Sequence, residues 1–473
     1  MSSLPSLPAS VFQGTDYGLV WLGLANAAYI QQGTPDTGVI ARTIQFAFNP
    51  TDGNTYIPNP PTPAGMTGAG SPLQGYWNVD WGPGITADNS NLLYLVSFRQ
   101  GTRPAAGGAQ GAPYFFAVAI RGTDISTGRL ALLQQVLQDF DAVTKVPLSV
   151  VLADPLVPNP AKKLLPPLKL AGISIGTSAG FTRMSALQSS YVDPSTNTAT
   201  TGPIAAALLA NLNFYKGVPL VVTGHSLGGC QTQIMATYLA WQLSDTDTAK
   251  AQAIYPNAIA PSTAGDAGFA SYYDSLFPYG HFWFNQLDLV PCGFANLATI
   301  FTLWQKSKWP PGSVDPATNQ PNGGTAGPRA PDVLTLLSAT LGPEILLQNY
   351  TRPKNGLVPM SNGLPPSQTI LEMLQDMAEP APLTATQPTA DQAALAAAMA
   401  DGFAGTELSA LTADLEGKKT LAQKATDGLS MLMWQHFMPC YYQLISSQTG
   451  VLPYASINDK DVPQQSNPTP AAG

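Results

Sequence analysis

The sequence predicts an α/β protein, built on a mainly parallel β-sheet with helices on both faces and carrying a largely helical insertion or cap. Three observations lead there. From Leu92 onward, short β-branched and aromatic runs alternate with segments of helical apolar spacing. Val218–Thr223 is a continuous apolar run of the kind buried on both faces of a sheet. From about Lys306 to Ser430 the composition shifts to Pro-rich connections and helical pieces, among them the Ala-rich Asp391–Ala400.

In chain order, Leu19–Gln31 reads as an apolar helix. Val39–Ala47 and Gly75–Trp81 read as strands among turn-rich stretches such as Asn49–Asn54 and Asn59–Ala69. Leu92–Phe98 and Tyr114–Ile120 are strands. Gly128–Phe140 has helical spacing at Leu130, Leu133, Leu137 and Phe140. Leu168–Ile175 is expected as a strand, Ile204–Tyr215 as a helix, Val218–Thr223 as a strand and Leu227 to about Leu243 as a helix. Ala251–Ala260 and His281–Leu287 complete the set of strands. The expected division is therefore a sheet-bearing domain from 1–305 and 431–452, a helical insertion or cap from 306–430, and a loose tail from 453–473.

Composition narrows the partners. The chain has 473 residues, of which 44% are hydrophobic, enough for a sizeable core. Only 11% are charged, and 21 basic against 29 acidic residues leave a net charge of −8. An acidic chain whose longest basic runs are Lys162-Lys163 and Lys418-Lys419 is a poor ligand for nucleic acid or anionic membranes. The apolar run Gly18–Ile30 is too short to span a bilayer, and polar residues interrupt Leu289–Trp304, so no transmembrane segment is expected. Cys230, Cys292 and Cys440 show neither metal-ligand spacing nor a disulfide framework. Residues 1–13 lack the basic start and apolar stretch of a secretory signal, which argues against export. The many uncharged polar residues favour an extracellular setting, so localisation stays open.

The strongest chemical signal is Val221-Val222-Thr223-Gly224-His225-Ser226-Leu227-Gly228-Gly229. A nucleophilic serine displayed on a sharp strand-to-helix turn sits in a strained backbone, and the residues two before and two after it must be small. A second match exists at Gly176-Thr177-Ser178-Ala179-Gly180. Context favours Ser226, which follows an uninterrupted β-branched strand and precedes the small Gly229 and Cys230. Ser178 is preceded by the polar Ser174 and followed by the bulky Phe181 and Arg183.

A serine nucleophile needs a base, and the chain has only His225, His281 and His436. His225 precedes the serine on the turn, so its side chain should point away and serve packing. His281 begins a strand upstream of the expected acid, out of place in the Ser, Asp, His order of this architecture. His436 remains as the general base. The acid that orients it is read as Asp288, in Asn285-Gln-Leu-Asp-Leu-Val-Pro291, on a loop at a strand's C-terminal end, where open α/β sheets place their sites. Asp266 and Asp274 compete for that role, although aspartates after strands more often cap turns. The strand ending in Arg121-Gly122-Thr123 offers an oxyanion donor in Thr123, and the N–H of Leu227 offers the second.

Together these pieces resemble the class 3 lipases, the family of the filamentous-fungal triacylglycerol lipases with an α/β-hydrolase fold. The matching pieces are Leu24-Ala-Asn-Ala-Ala-Tyr29, Ile120-Arg-Gly-Thr123, Gly180-Phe181, Gly224-His-Ser-Leu-Gly-Gly229, Ala260-Pro-Ser-Thr-Ala-Gly265 with Phe269, Asp288-Leu-Val-Pro291, and His436 with Tyr441 beyond it. They are collinear from about residue 16 to 445. The resemblance implies Ser226, Asp288 and His436 as a catalytic triad and Thr123 with Leu227 as oxyanion donors. It also implies that Gly176–Phe181 is the family's Gly-Phe strand end. Against the family, the spacings from Thr123 to Ser226 and from Asp288 to His436 are long, which places insertions at about Thr144–Lys169 and Lys306–Ser430. The family's mobile lid would correspond to Gly128–Phe140 or to the apolar Leu148–Leu168.

The expected function is a serine ester hydrolase, foremost a lipase acting on acylglycerol esters through an acyl-enzyme, with no metal or organic cofactor required. The alternatives are a soluble carboxylesterase or phospholipase with the same triad, or a non-catalytic hydrolase-like binding protein. The expected partner is a lipid or ester substrate, at an oil–water interface if Leu148, Val150, Val151, Leu152, Leu156, Val157, Leu164 and Leu165 form a docking face. Those residues could equally pack the insertion onto the domain.

Overall fold

A computed structural model describes residues 7, 11–12, 17–29, 37–48, 57–63, 66, 68–87, 91–105, 108, 110–122, 144–152, 171–243, 254–285, 288–292, 295, 314–315, 320–321, 349–360, 436, 438, 441 and 444–445. The chain enters through helix α1 (Gly18–Ala27), whose residues are nearly all buried, and α2 (Thr37–Phe48). The sequence reading of a strand at Val39–Ala47 is corrected here. Ile40, Thr43, Ile44, Ala47 and Phe48 are buried while Arg42 and Gln45 are exposed, the i, i+3, i+4, i+7 stripe of an amphipathic helix. The β-branched Val39, Ile40, Thr43 and Ile44 suggested a strand, but the period of burial settles the element.

Strands β1 (Gly75–Ile85), β2 (Leu92–Gln100) and β3 (Pro113–Ile120) form an antiparallel meander. Next come β4 (Lys145–Pro147), the short helix α3 (Leu148–Leu152), β5 (Gly172–Ser174) and helix α4 (Ile175–Ser185). The expected strand Leu168–Ile175 is thus reduced to three described strand residues, and Gly176–Phe181, expected at a strand end, lies inside a helix. The Ser174 hydroxyl starts that helix by accepting from the Thr177 amide at 3.1 Å. A hairpin that the sequence reading did not find, β6 (Gln188–Asp193) with β7 (Thr198–Pro203), precedes helix α5 (Ile204–Phe214). Its polar, Thr-rich strands carry no apolar alternation to reveal them.

The central units follow: β8 (Leu220–His225), α6 (Leu227–Leu243), β9 (Ile254–Ile259), α7 (Ala267–Leu276), β10 (His281–Asn285) and the single turn α8 (Leu289–Cys292). A two-residue pair, β11 (Val314–Asp315) with β12 (Gln320–Pro321), precedes β13 (Leu357–Met360). The main sheet has seven strands in the order β1-β2-β3-β8-β9-β10-β13, and every pairing from β3 to β13 is parallel. β13 falls within 306–430, so that segment supplies an edge strand of the sheet and is not wholly an insertion.

Alternation along the strands fills both faces. Leu93, Leu95, Phe116, Val118, Ile120, Leu220 and Val222 pack toward one core with α4, α5, α6 and α7. Leu92, Tyr94, Val96, Phe98, Phe115, Ala117, Ala119 and Val221 pack toward the other with α1 and α2. Leu148, Val151 and Leu152 belong to the first core, so this part of the suspected docking face packs onto the domain, while Val150 is exposed. Gly128–Phe140, the rest of Leu148–Leu168 after Leu152, Asp391–Ala400 and the tail from 453 lie outside the described residues. Among the described residues no helix is long and apolar enough to cross a membrane.

Candidate active site

The sheet presents the C-terminal ends of β3, β8, β9 and β10 on one side, and the candidate residues gather there. Ser226 follows β8 directly and has φ +61, a left-handed conformation that costs a non-glycine residue energy unless its surroundings impose it. They do so here. The Ser226 amide donates to the Ile259 carbonyl at 3.0 Å, and its carbonyl accepts from the Cys230 amide at 3.0 Å as α6 begins. The glycines on either side are required by contact. A Cβ on Gly224 would strike the Gly228 carbonyl, and one on Gly228 would strike the Ile120 carbonyl at the end of β3.

Ser226 is hydrogen-bonded to His436, with Oγ 2.7 Å from Nε2. His436 Nδ1 lies 2.8 Å from Oδ2 of Asp288. The three residues are therefore in line, and all are buried: Ser226 is 4% exposed, His436 3% and Asp288 0%. Asp288 sits between β10 and α8. Its Oδ1 accepts the Val290 amide at 2.9 Å, which caps the turn, and its own amide donates to the Asn285 carbonyl at 3.0 Å. A third donor, the Tyr441 hydroxyl, reaches Oδ2 at 2.7 Å and itself accepts the Asn285 amide at 3.0 Å. Both carboxylate oxygens are thus engaged, and the plane of the acid is set before any chemistry occurs.

The other candidates separate from this cluster. Ser178 lies inside α4 with helical backbone, without the strained turn that a displayed nucleophile needs. His281 opens β10 opposite Asn257, at the end of the strand away from Asp288. Asp266 caps α7 by accepting the Phe269 amide at 3.1 Å and pairs with Lys145 at 3.0 Å. Asp274 holds the Lys354 and Asn355 amides at 2.9 and 3.0 Å. Asp266 therefore caps a helix, and Asp274, within α7, anchors the segment before β13. Leu227 is the first residue of α6, so its N–H precedes the helix's own hydrogen-bond ladder. Thr123 lies outside the described residues, whereas Arg121 and Gly122, which lead to it, are buried beside Leu92 and the serine turn.

Sequence reasoning missed two contributions. In the sequence Tyr441 only follows His436, but a buried tyrosine needs a hydrogen-bond partner, and this one finds Asp288. His225 was read as a packing residue turned away from Ser226. It is buried at the site, and its Nε2 lies 2.8 Å from the His436 carbonyl oxygen. Burial, and then the neighbouring His436, hold its pKa well below the usual histidine value. Cys230, one turn into α6, is a buried free thiol whose pKa burial pushes up to about 11, leaving it uncharged at neutral pH.

Comparison with known proteins adds to this geometry. The family described as Lipase (class 3) matches residues 117–296, which include Thr123, Ser226 and Asp288 and end before His436. Among solved structures, the chain is similar to M37 lipase at 18% identity, covering 76% of this chain and 88% of that one, with a TM-score of 0.46. It is similar to Lip2 lipase from Yarrowia lipolytica at 16% identity, covering 57% and 71%, with a TM-score of 0.32. A triacylglycerol lipase from Penicillium expansum is 18% identical, covering 45% and 62%, with a TM-score of 0.28. A search of the curated proteins finds no match. Over residues 117–296 the chain is thus similar to the class 3 lipase family, the same family that its sequence motifs resemble.

Proposed function

We propose that the protein hydrolyses acylglycerol esters by a double-displacement mechanism in which Ser226, His436 and Asp288 act as one catalytic unit. The observation that carries this is the continuous hydrogen-bonded line Ser226 Oγ, His436 Nε2, His436 Nδ1, Asp288 Oδ2, with links of 2.7 and 2.8 Å, at the C-terminal edge of a parallel sheet. In the neutral enzyme His436 carries its proton on Nδ1, donated to Asp288, so Nε2 is free to accept the serine proton. Oγ then attacks the ester carbonyl. The imidazolium that forms is stabilised by Asp288 and returns the proton to the departing alcohol. Water, activated by the same Nε2, releases the acid from the acyl-enzyme. The tetrahedral oxyanion would be held by the N–H of Leu227, at the positive end of α6, and by Thr123.

The acidic chain and the family's substrates favour a neutral ester over an anionic bilayer. The test is trapping with an alkyl fluorophosphonate followed by peptide mass mapping, together with rates on emulsified long-chain triacylglycerol and on a dissolved short-chain ester. The reading expects one phosphonate per chain on Ser226, no adduct in Ser226→Ala, and a rise in rate when the ester passes its solubility limit. An adduct on another residue overturns the triad. Activity confined to the dissolved ester turns the substrate assignment to a soluble esterase.

A further inference from the structure

We infer that His225 is a positioning residue for the catalytic base: its Nε2–H grips the backbone of His436 and couples the base to the serine turn. This rests on the triad reading above and assigns a task to the one buried histidine at the site that the reaction scheme leaves unused. His225 and Ser226 are consecutive, and each holds a different part of His436. Ser226 Oγ meets its Nε2 at 2.7 Å, and His225 Nε2 meets its carbonyl oxygen at 2.8 Å. A carbonyl can only accept, so Nε2 of His225 must carry the proton.

A neutral imidazole protonated at Nε2 has a bare Nδ1, and the Tyr29 hydroxyl lies 3.1 Å from it. Tyr29, at the end of the segment that begins with α1, has one proton shared between two acceptors of His225, Nδ1 and the carbonyl oxygen, each 3.1 Å away, and so favours the tautomer that can hold His436. The ring of His225 is boxed by three others. His436 is 4.9 Å away at an interplanar angle of 33°, Tyr441 5.6 Å away at 78° and Tyr29 5.9 Å away at 69°. Protonating His225 would remove the acceptor that Tyr29 uses and place a second cation beside the imidazolium formed in each turnover. Burial and His436 both oppose that charge. His225 therefore stays neutral and works by geometry, keeping the base in register while its imidazole gains and loses a proton.

A packing role and a positioning role predict different kinetics. The test counts competent sites with a 4-nitrophenyl alkylphosphonate, which releases one nitrophenolate per reactive serine, and measures kcat and KM on 4-nitrophenyl butyrate per titrated site. His225→Phe keeps a ring but has no donor. It is expected to lower kcat per site about ten-fold with KM little changed, the equivalent of about 1.4 kcal/mol. His225→Gln retains a side-chain N–H and is expected to recover most of that loss. Tyr29→Phe frees the tautomer and is expected to lower kcat per site about three-fold. If His225→Phe shows fewer titratable sites and a lower melting temperature but wild-type kcat per site, the residue only packs and the inference is overturned. Should His225→Phe fail to fold, Tyr29→Phe and His225→Gln decide, and unchanged kcat per site in Tyr29→Phe overturns it. A wild-type enzyme that releases no nitrophenolate is a different outcome, because there the triad reading itself fails.

Discussion

Oδ2 of Asp288 receives two donors, the His436 ring at 2.8 Å and the Tyr441 hydroxyl at 2.7 Å, inside a site that water does not reach freely. A hydrogen bond to a buried charge is worth about 1.5–3 kcal/mol, and the Asn285 amide would lose its acceptor as well. Tyr441→Phe is therefore expected to lower kcat about ten-fold or more, with KM held within about two-fold. Steady-state rates normalised to phosphonate-titrated sites check this, and an unchanged kcat would make Tyr441 a packing residue. Ser226, Asp288 and His436 were legible in the sequence for separate reasons. The serine turn has a local motif with a steric cause, the histidines numbered only three, and the acid followed a recognisable strand. The hydrogen bonds of Tyr441 and His225 were not legible. Their partners lie 153 and 211 positions away, and a side chain reaching a distant group leaves no periodic trace.

Among the elements, the strands whose residues are buried on both faces were the most readable. β3, β8, β9 and β10 are short apolar runs bounded by turns, and they lie within a few residues of their expected positions. α2 was misread because β-branched residues dominate its buried stripe, and α4 because a Gly- and Ser-rich segment has little helical signal of its own. β13 was hidden in a Pro-rich region. It is placed by contacts made before the strand begins, since Asp274 on α7 accepts the amides of Lys354 and Asn355, and its Phe282 neighbour donates to the Gly356 carbonyl at 2.9 Å. Asp274→Ala removes the acceptor for both amides while leaving the strand's own sequence intact. The expected result is faster amide exchange across residues 354–360 and a stability loss of about 1–2 kcal/mol, with the active site still titratable. Hydrogen exchange mapped by mass spectrometry reads this, and unchanged protection at β13 would mean that the sheet pairing alone holds it.

For the molecule as a whole, one arrangement follows from many local choices. Three parallel pairings bring the ends of β3, β8, β9 and β10 to one edge, the serine turn fits only because Gly224 and Gly228 let β8, α6 and β3 approach closely, and Asp288 and His436 reach the same edge from the far part of the chain. In the proposed mechanism Ser226 and His436 act as one unit. The most direct measurement is kcat/KM on a dissolved aryl ester for Ser226→Ala, His436→Ala and the double variant. Each single change is expected to cost about four to six orders of magnitude, and the double variant to be no worse than either, because a unit already broken has nothing more to lose. Losses that multiply, or a His436→Ala enzyme that keeps near wild-type turnover, would contradict it.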